Sequence, residues 1–138
     1  MKDVLIIIPT YNEIENIENI IISTINLYPT INILIVDDNS PDLTFKKVED
    51  LKLKFKDQLF LLKRLKKEGL GTAYVAGFKW ALKKKFNYVF EMDADLSHNP
   101  KDIKRILEPM LENNYDISIG SRYINGINVV NWPLSRII

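Results

Sequence analysis

Short apolar runs that alternate with stretches of helical period restrict this chain to one broad architecture. Val4 to Ile8 is continuously apolar and rich in β-branched residues, the pattern of a strand covered on both faces. Ile33 to Val36, Leu59 to Leu62 and Tyr88 to Met92 read as further strands. Between the first two, Ile14, Ile17, Ile21 and Ile25 recur at helical spacing until Pro29, and Val48, Leu51 and Phe55 mark a second helix. A third helix is predicted from about Thr72 to Lys85. Pro100 suits the first turn of a fourth, carried by Ile103, Ile106, Leu107 and Met110 toward Asn113 and Asn114. Ile117 to Ile119, halted by Gly120, reads as a fifth strand. Five strands alternating with four helices predict an α/β fold, its largely parallel central sheet flanked by helices on both faces.

Composition narrows the chemistry. The 138 residues are 46% hydrophobic, enough for one domain with a sizeable core. Nineteen basic residues against 18 acidic ones give a net charge of +1, so the global field expected of a nucleic-acid binder is missing and anion binding must be local. There is no cysteine, and His98 is the only histidine, which excludes thiolate nucleophiles, zinc-thiolate sites, a serine-hydrolase triad and a two-histidine metal site within the chain. No apolar run approaches a membrane span and no leader pattern opens the chain, so a soluble segment is expected. The stretch Asn131 to Ile138 stops on two isoleucines without a polar tail, as in a piece of a longer protein.

In open α/β sheets, ligands bind beyond the carboxyl ends of the strands, near the point where strand order reverses. Those ends carry most of the distinctive residues here: Pro9-Thr10-Tyr11-Asn12-Glu13, Asp37 to Asp42, Asp93-Ala94-Asp95 and Gly120-Ser121-Arg122-Tyr123. In an extended backbone Asp93 and Asp95 would share a side, about 6.5–7 Å apart, and one hard cation could join them. Alone, the pair reads first as an acidic strand end beside a helix cap. Lys63, Arg64, Lys66 and Lys67 form the densest basic cluster, and such runs are usually solvated faces. Gly69 and Gly71 would let backbone approach a phosphate, yet they fit neither the Walker loop nor the dinucleotide fingerprint. Lys83 to Lys85 read as charge at a helix C-terminus, with attraction to an anionic membrane surface as the second reading.

Five ordered motifs carry a resemblance. They are Ile8-Pro9-Thr10-Tyr11-Asn12-Glu13, Val36-Asp37-Asp38-Asn39-Ser40-Pro41-Asp42, Gly69-Leu70-Gly71-Thr72-Ala73-Tyr74, Met92-Asp93-Ala94-Asp95-Leu96-Ser97-His98 and Gly120-Ser121-Arg122-Tyr123. In these the chain resembles the inverting nucleotide-sugar glycosyltransferases that include dolichyl-phosphate mannose synthase and other polyprenyl-phosphate sugar transferases, in their N-terminal catalytic portion. The resemblance implies a Rossmann-like nucleotide-sugar transferase fold. It assigns Pro9, Tyr11 and Glu13 to a loop around the nucleotide, and Val36 and Asp38 to its base and ribose. The alternative for Asp37 and Asp38 is that they shape a turn and cap the next helix. Asp93, Ala94 and Asp95 resemble the diphosphate site, where Asp93, Asp95 and, more weakly, Ser97 would hold Mg²⁺ or Mn²⁺. Asp95 would then be central to catalysis. Arg122 and Arg136 resemble arginines for the acceptor phosphate, with a surface ion pair as the alternative for Arg122 and a merely structural role near the terminus as the alternative for Arg136. For His98 the favoured reading is a surface residue before a helix.

By the same resemblance, residues 1–123 form a nucleotide-sugar-binding catalytic domain and residues 124–138 begin an incomplete acceptor-side region. The implied reaction is transfer of a hexose to dolichyl or polyprenyl phosphate with inversion. Mannose from GDP-mannose is the leading donor, and UDP-glucose or UDP-GlcNAc the alternative. The implied location is the cytoplasmic side of a membrane, the endoplasmic reticulum in a eukaryote or the plasma membrane in a prokaryote. Attachment there would be peripheral, through further C-terminal elements or a partner subunit. A nucleotide-binding module without transfer activity and a purely structural interaction domain are the two other classes.

Overall fold

The computed structural model describes residues 1–121; Arg122 and the segment from Trp132 to Arg136 lie outside the described residues. Elements alternate in order: β1 (Val4–Thr10), α1 (Ile17–Leu27), β2 (Asn32–Asp37), α2 (Thr44–Lys54), β3 (Leu59–Lys63), α3 (Leu70–Lys84), β4 (Tyr88–Glu91) and α4 (Asp102–Asn113). The chain divides into two compact units, Met1–Lys101 and a second that starts at Asp102.

In the first unit, four strands form one parallel sheet in the order β3-β2-β1-β4. Ile7 is level with Leu34 on β2 and with Glu91 on β4, and Leu34 is level with Phe60 on β3. The two central strands are apolar from Val4 to Ile8 and from Ile33 to Val36 because helices cover both of their faces. α3 packs across β1, β2 and β4, whereas α2 packs on β2 and β3 and against α1. Leu5, Ile7, Leu34 and Val36 join Ala73, Tyr74 and Ala81 in the cluster on the α3 face. Side-chain alternation sends Ile6, Ile8, Ile33 and Ile35 to the other face, where all four are fully buried. Each such side chain contributes about 1.5–3 kcal/mol by leaving water.

Two details of this unit position the strand ends. β1 runs through Pro9, which the apolar pattern predicts as its stop. Ile7 O accepts from Met92 N on the β4 side, so Pro9, two residues on, directs its missing N–H to the side that β4 has already left at Glu91. α1 begins at Ile17, and Ile14, expected in its apolar stripe, is 41% exposed because its amide donates to Asp42 Oδ2 at 3.1 Å.

In the second unit, α4 buries Ile103 and Leu107 from the predicted stripe. The expected fifth strand is absent. Residues 114–121 are irregular, and Ile117 and Ile119 are 75% and 82% exposed. Two alternating isoleucines do not hold an extended segment without a ladder partner. No helix among the described residues is long and apolar enough to cross a membrane.

Candidate functional site

Strand order reverses between β1 and β4. The chain leaves β1 toward β2 and β3 on one side and returns to β4 on the other, so the crevice falls between the carboxyl ends of β1 and β4. Three groups of side chains surround those ends: a brace at Asp37, a buried ion pair at Asp38, and an acidic turn after β4.

Asp37 is fully buried. Its Oδ2 accepts from Thr10 Oγ1 at 2.8 Å and Ser40 Oγ at 2.6 Å, and its Oδ1 accepts from Ser40 N at 3.0 Å. These bonds tie the end of β1 to the turn after β2, the turn-shaping role left open for this residue. Asp38 differs. Its Oδ2 accepts from Glu68 N at 3.3 Å, and its Oδ1 lies 3.3 Å from Arg64 Nη1 without hydrogen-bond alignment, both atoms being buried. Arg64 Nη2 donates to Glu68 Oε2 at 2.9 Å and to Thr72 Oγ1 at 2.8 Å. The solvated-face reading of the basic run therefore fails at Arg64, whose side chain is only 11% exposed. A carboxylate buried at Asp38 needs a neighbouring cation, and the run supplies one. Lys66, at 76% exposure, keeps the expected solvated position.

The β1 and β2 loops are latched together. Asn12 N donates to Ser40 Oγ at 3.1 Å, Glu13 N to Thr44 Oγ1 at 3.0 Å, and Asp42 N to Asn12 Oδ1 at 3.3 Å. Asp42 also starts α2, accepting at Oδ1 from Thr44 N at 2.9 Å and Thr44 Oγ1 at 2.6 Å. Burial pushes its carboxyl up, but hydrogen bonds from Thr44 and Ile14 outweigh this and hold it below the usual value. An open hollow of about 650 Å³ on this latch is lined by Asn12 to Asn16, Pro41 and Asp42, and excludes Asp93 and Asp95. Of the other residues expected here, Pro9 and Tyr11 are half-buried and Val36 is fully buried between β1 and β3. Lys67 Nζ stands 4.2 Å from the centroid of the Tyr11 ring. Glu13 Oε2 accepts from Asn16 Nδ2 at 3.1 Å.

Asp93 and Asp95 sit at the crevice, in a bend rather than in a strand. β4 ends at Glu91, the chain bends at residues 94–96, and Leu96 adopts a left-handed φ of 63°. The same-side argument from an extended backbone therefore lapses, and local hydrogen bonds orient the two carboxylates instead. Tyr74 Oη donates to Asp93 Oδ1 at 3.1 Å. Asp93 N donates to His98 Nδ1 at 3.0 Å, and His98 Nε2 lies 3.9 Å from Asp93 Oδ2. His98 is thus an acceptor built into the acidic turn, not merely a surface residue before α4. Ser97 N donates to Asp95 Oδ1 at 2.9 Å. The Ser97 hydroxyl and amide together hold the Asp95 carboxyl below its usual range. Burial, and after it the Asp93 charge and hydrogen bond, raise the Tyr74 phenol, which keeps it a donor. Ala94, between the carboxylates, is buried at 4% exposure.

Among the described residues no three of His, Cys, Asp and Glu converge to cage a metal. The donor set at the turn is two hard carboxylates, which suits a cation that takes its remaining oxygens from a ligand or water. Two of the groups that position these carboxylates, Tyr74 and His98, and Arg64 beside Asp38 were missed as functional residues from sequence. For Tyr74 and His98 the only signal was membership of a recognised motif, and for Arg64 its place in the densest basic run.

An all-parallel sheet with an acidic turn at its switch point defines the class, a Rossmann-like α/β domain with its polar groups gathered at the carboxyl ends of the strands. Residues 5–138 match glycosyl transferase family 2, and the chain belongs to that family. It is 43% identical over 134 residues to a polyprenol monophosphomannose synthase of Mycolicibacterium smegmatis, covering 97% of this chain and 50% of that protein. It is 43% identical to an undecaprenyl-phosphate mannosyltransferase of Micrococcus luteus over 96% of this chain and 54% of that one. A dolichol-phosphate mannosyltransferase of Pyrococcus furiosus is 42% identical over 95% of this chain and 36% of its own length. The chain thus spans about half or less of the length of these curated relatives. Among solved structures, S. aureus TarS resembles it with a TM-score of 0.65 and 26% identity, over 92% of this chain and 38% of that one. The mannosyltransferase PcManGT from Pyrobaculum calidifontis, in complex with GDP-Man and Mn²⁺, resembles it with a TM-score of 0.50 and 26% identity, over 56% of this chain and 24% of that one.

Proposed function

We propose that this chain binds GDP-mannose at the strand ends and serves as the donor-binding, catalytic part of a polyprenyl-phosphate mannosyltransferase. The observation that carries the reading is the acidic turn at the switch point, where Tyr74 fixes Asp93 and Ser97 fixes Asp95. The names of the relatives and the GDP-Man complex of PcManGT support the choice of sugar and base.

In this reading Asp93, Asp95 and the buried Ala94 meet the diphosphate, and the two carboxylates hold Mg²⁺ or Mn²⁺ with Ser97 beside Asp95. Such a cation, when bound, neutralises the nucleoside diphosphate as it leaves the sugar. Pro9, Tyr11 and Glu13 line the nucleotide from the β1 side, while Val36 and Asp38 meet base and ribose. A carboxylate such as Asp38 accepts from base N–H groups or ribose hydroxyls. Arg122 and Arg136, beyond the described residues, take the acceptor phosphate, for which a planar guanidinium fork is well matched. Residues 1–123 then form the donor domain and residues 124–138 the beginning of the acceptor side.

The reaction is a single displacement. An oxygen of the dolichyl or polyprenyl phosphate forms the new bond at the anomeric carbon as the bond to the diphosphate breaks, and configuration inverts. The nucleophile is already anionic, so the chain needs no strong general base. Its work is positioning and electrostatic stabilisation. Because the acceptor is a lipid, the protein works peripherally at the cytoplasmic surface of a membrane, held there by further segments or a partner subunit.

A thermal-shift panel tests the donor. GDP or GDP-mannose with Mn²⁺ is expected to raise the melting temperature, with about 2.7 kcal/mol of added stability when ligand is at about 100 times its Kd. A larger shift with UDP-sugars would move the donor to UDP-glucose or UDP-GlcNAc. No shift with any nucleotide would overturn the donor-site reading. Formation of labelled mannolipid from GDP-mannose and polyprenyl phosphate then tests transfer.

A further inference from the structure

The acidic turn is joined to the hydrophobic core through one side chain. Tyr74 lies in the first turns of α3, is 9% exposed, and belongs to the buried cluster with Leu5, Ile7, Leu34 and Val36. Its ring stacks on Phe78 with centroids 6.4 Å apart and an interplanar angle of 26°. One turn further on, Gly77 brings α3 so close to β1 that an added Cβ would stand 2.7 Å from Ile7 Cγ2. The phenol oxygen is therefore placed by packing on the sheet, not by the flexible turn it touches. From there it donates to Asp93 Oδ1 at 3.1 Å.

That bond sets what Asp93 can offer. The terminal torsion of an aspartate is broad, so a carboxylate in a bend has no strong orientation of its own. With Oδ1 engaged by Tyr74, Oδ2 is the oxygen that remains for a cation, and His98 Nε2 at 3.9 Å lies beyond hydrogen-bond distance of it. His98 steadies the same residue from the backbone side through Asp93 N. We infer that Tyr74 is a positioning residue for cation binding, holding one oxygen of Asp93 so that the other meets the metal. The inference rests on the proposed reading of the turn as a metal-diphosphate site.

Tyr74→Phe is the direct test, because it keeps the ring, its stack on Phe78 and its buried area while removing only the hydroxyl. Mn²⁺ affinity is measured by electron paramagnetic resonance at saturating GDP, and GDP affinity by calorimetry without metal. The expected result is roughly 10–100-fold weaker Mn²⁺ binding, as is usual when an outer partner of a metal ligand is lost, with metal-free GDP affinity unchanged within about twofold. Unchanged Mn²⁺ affinity in the folded variant would overturn the inference. So would an equal weakening of both ligands, which would make Tyr74 a support of the whole pocket. If the unsubstituted chain itself binds no Mn²⁺ with GDP, the metal-diphosphate reading fails, and this inference with it.

Discussion

Three aspartates within six residues, Asp37, Asp38 and Asp42, have three different surroundings, and those of Asp38 and Asp42 predict different responses to substitution. Asp38 is buried beside Arg64, so Arg64→Met leaves a buried carboxylate without its ion-pair partner and should cost about 3 kcal/mol in a urea titration. Lys66→Met, from the same basic run but 76% exposed, should leave stability unchanged within error. Asp42 predicts a pH effect. Its folded-state carboxyl lies below the ordinary 3.8, so its contribution is fully present above that value and is lost as pH falls through the depressed one. Asp42→Asn should therefore flatten the acid limb of the denaturation midpoint below pH 3.8. An unchanged acid slope would show that the latch between the β1 and β2 loops does not depend on that charge. At this scale the sequence was least legible: Asp37 and Asp38 are adjacent and chemically identical, and only the three-dimensional neighbours decide that one braces a turn while the other pairs with Arg64.

Elements were more legible, for a physical reason. β1 and β2 are largely enclosed, so their apolar runs are almost unbroken, and α4 shows its stripe at helical spacing. The misreadings fall where tertiary bonds override local pattern. Pro9 continues β1 because the neighbouring strand has already ended on its N–H side, and Ile14 leaves the α1 stripe because its amide is held by Asp42. The Ile117 to Ile119 segment has strand-like alternation but forms no ladder. The approach of α3 to β1 was invisible in the sequence, since nothing there distinguishes Gly77 from a tolerated helix glycine. Gly77→Val should cost about 1–3 kcal/mol by overpacking against Ile7, read from the denaturation midpoint. A neutral result would show that the α3–β1 contact is loose, and would also weaken the case that Tyr74 is rigidly placed.

For the molecule as a whole, the near balance of charge, +1 over 138 residues, means that long-range attraction does not bring a doubly negative nucleotide to the crevice. On the proposed reading, binding arises at the strand ends, where a cation held by the two carboxylates would offset the repulsion that Asp93 and Asp95 alone exert on a diphosphate. The most direct measurement is a calorimetric titration of GDP into the chain with and without Mn²⁺, repeated with Asp95→Asn. The account predicts much tighter GDP binding with the metal than without it, and loss of that dependence in the variant. Equal GDP affinity in all conditions, or metal-dependent binding that survives Asp95→Asn undiminished, would contradict it.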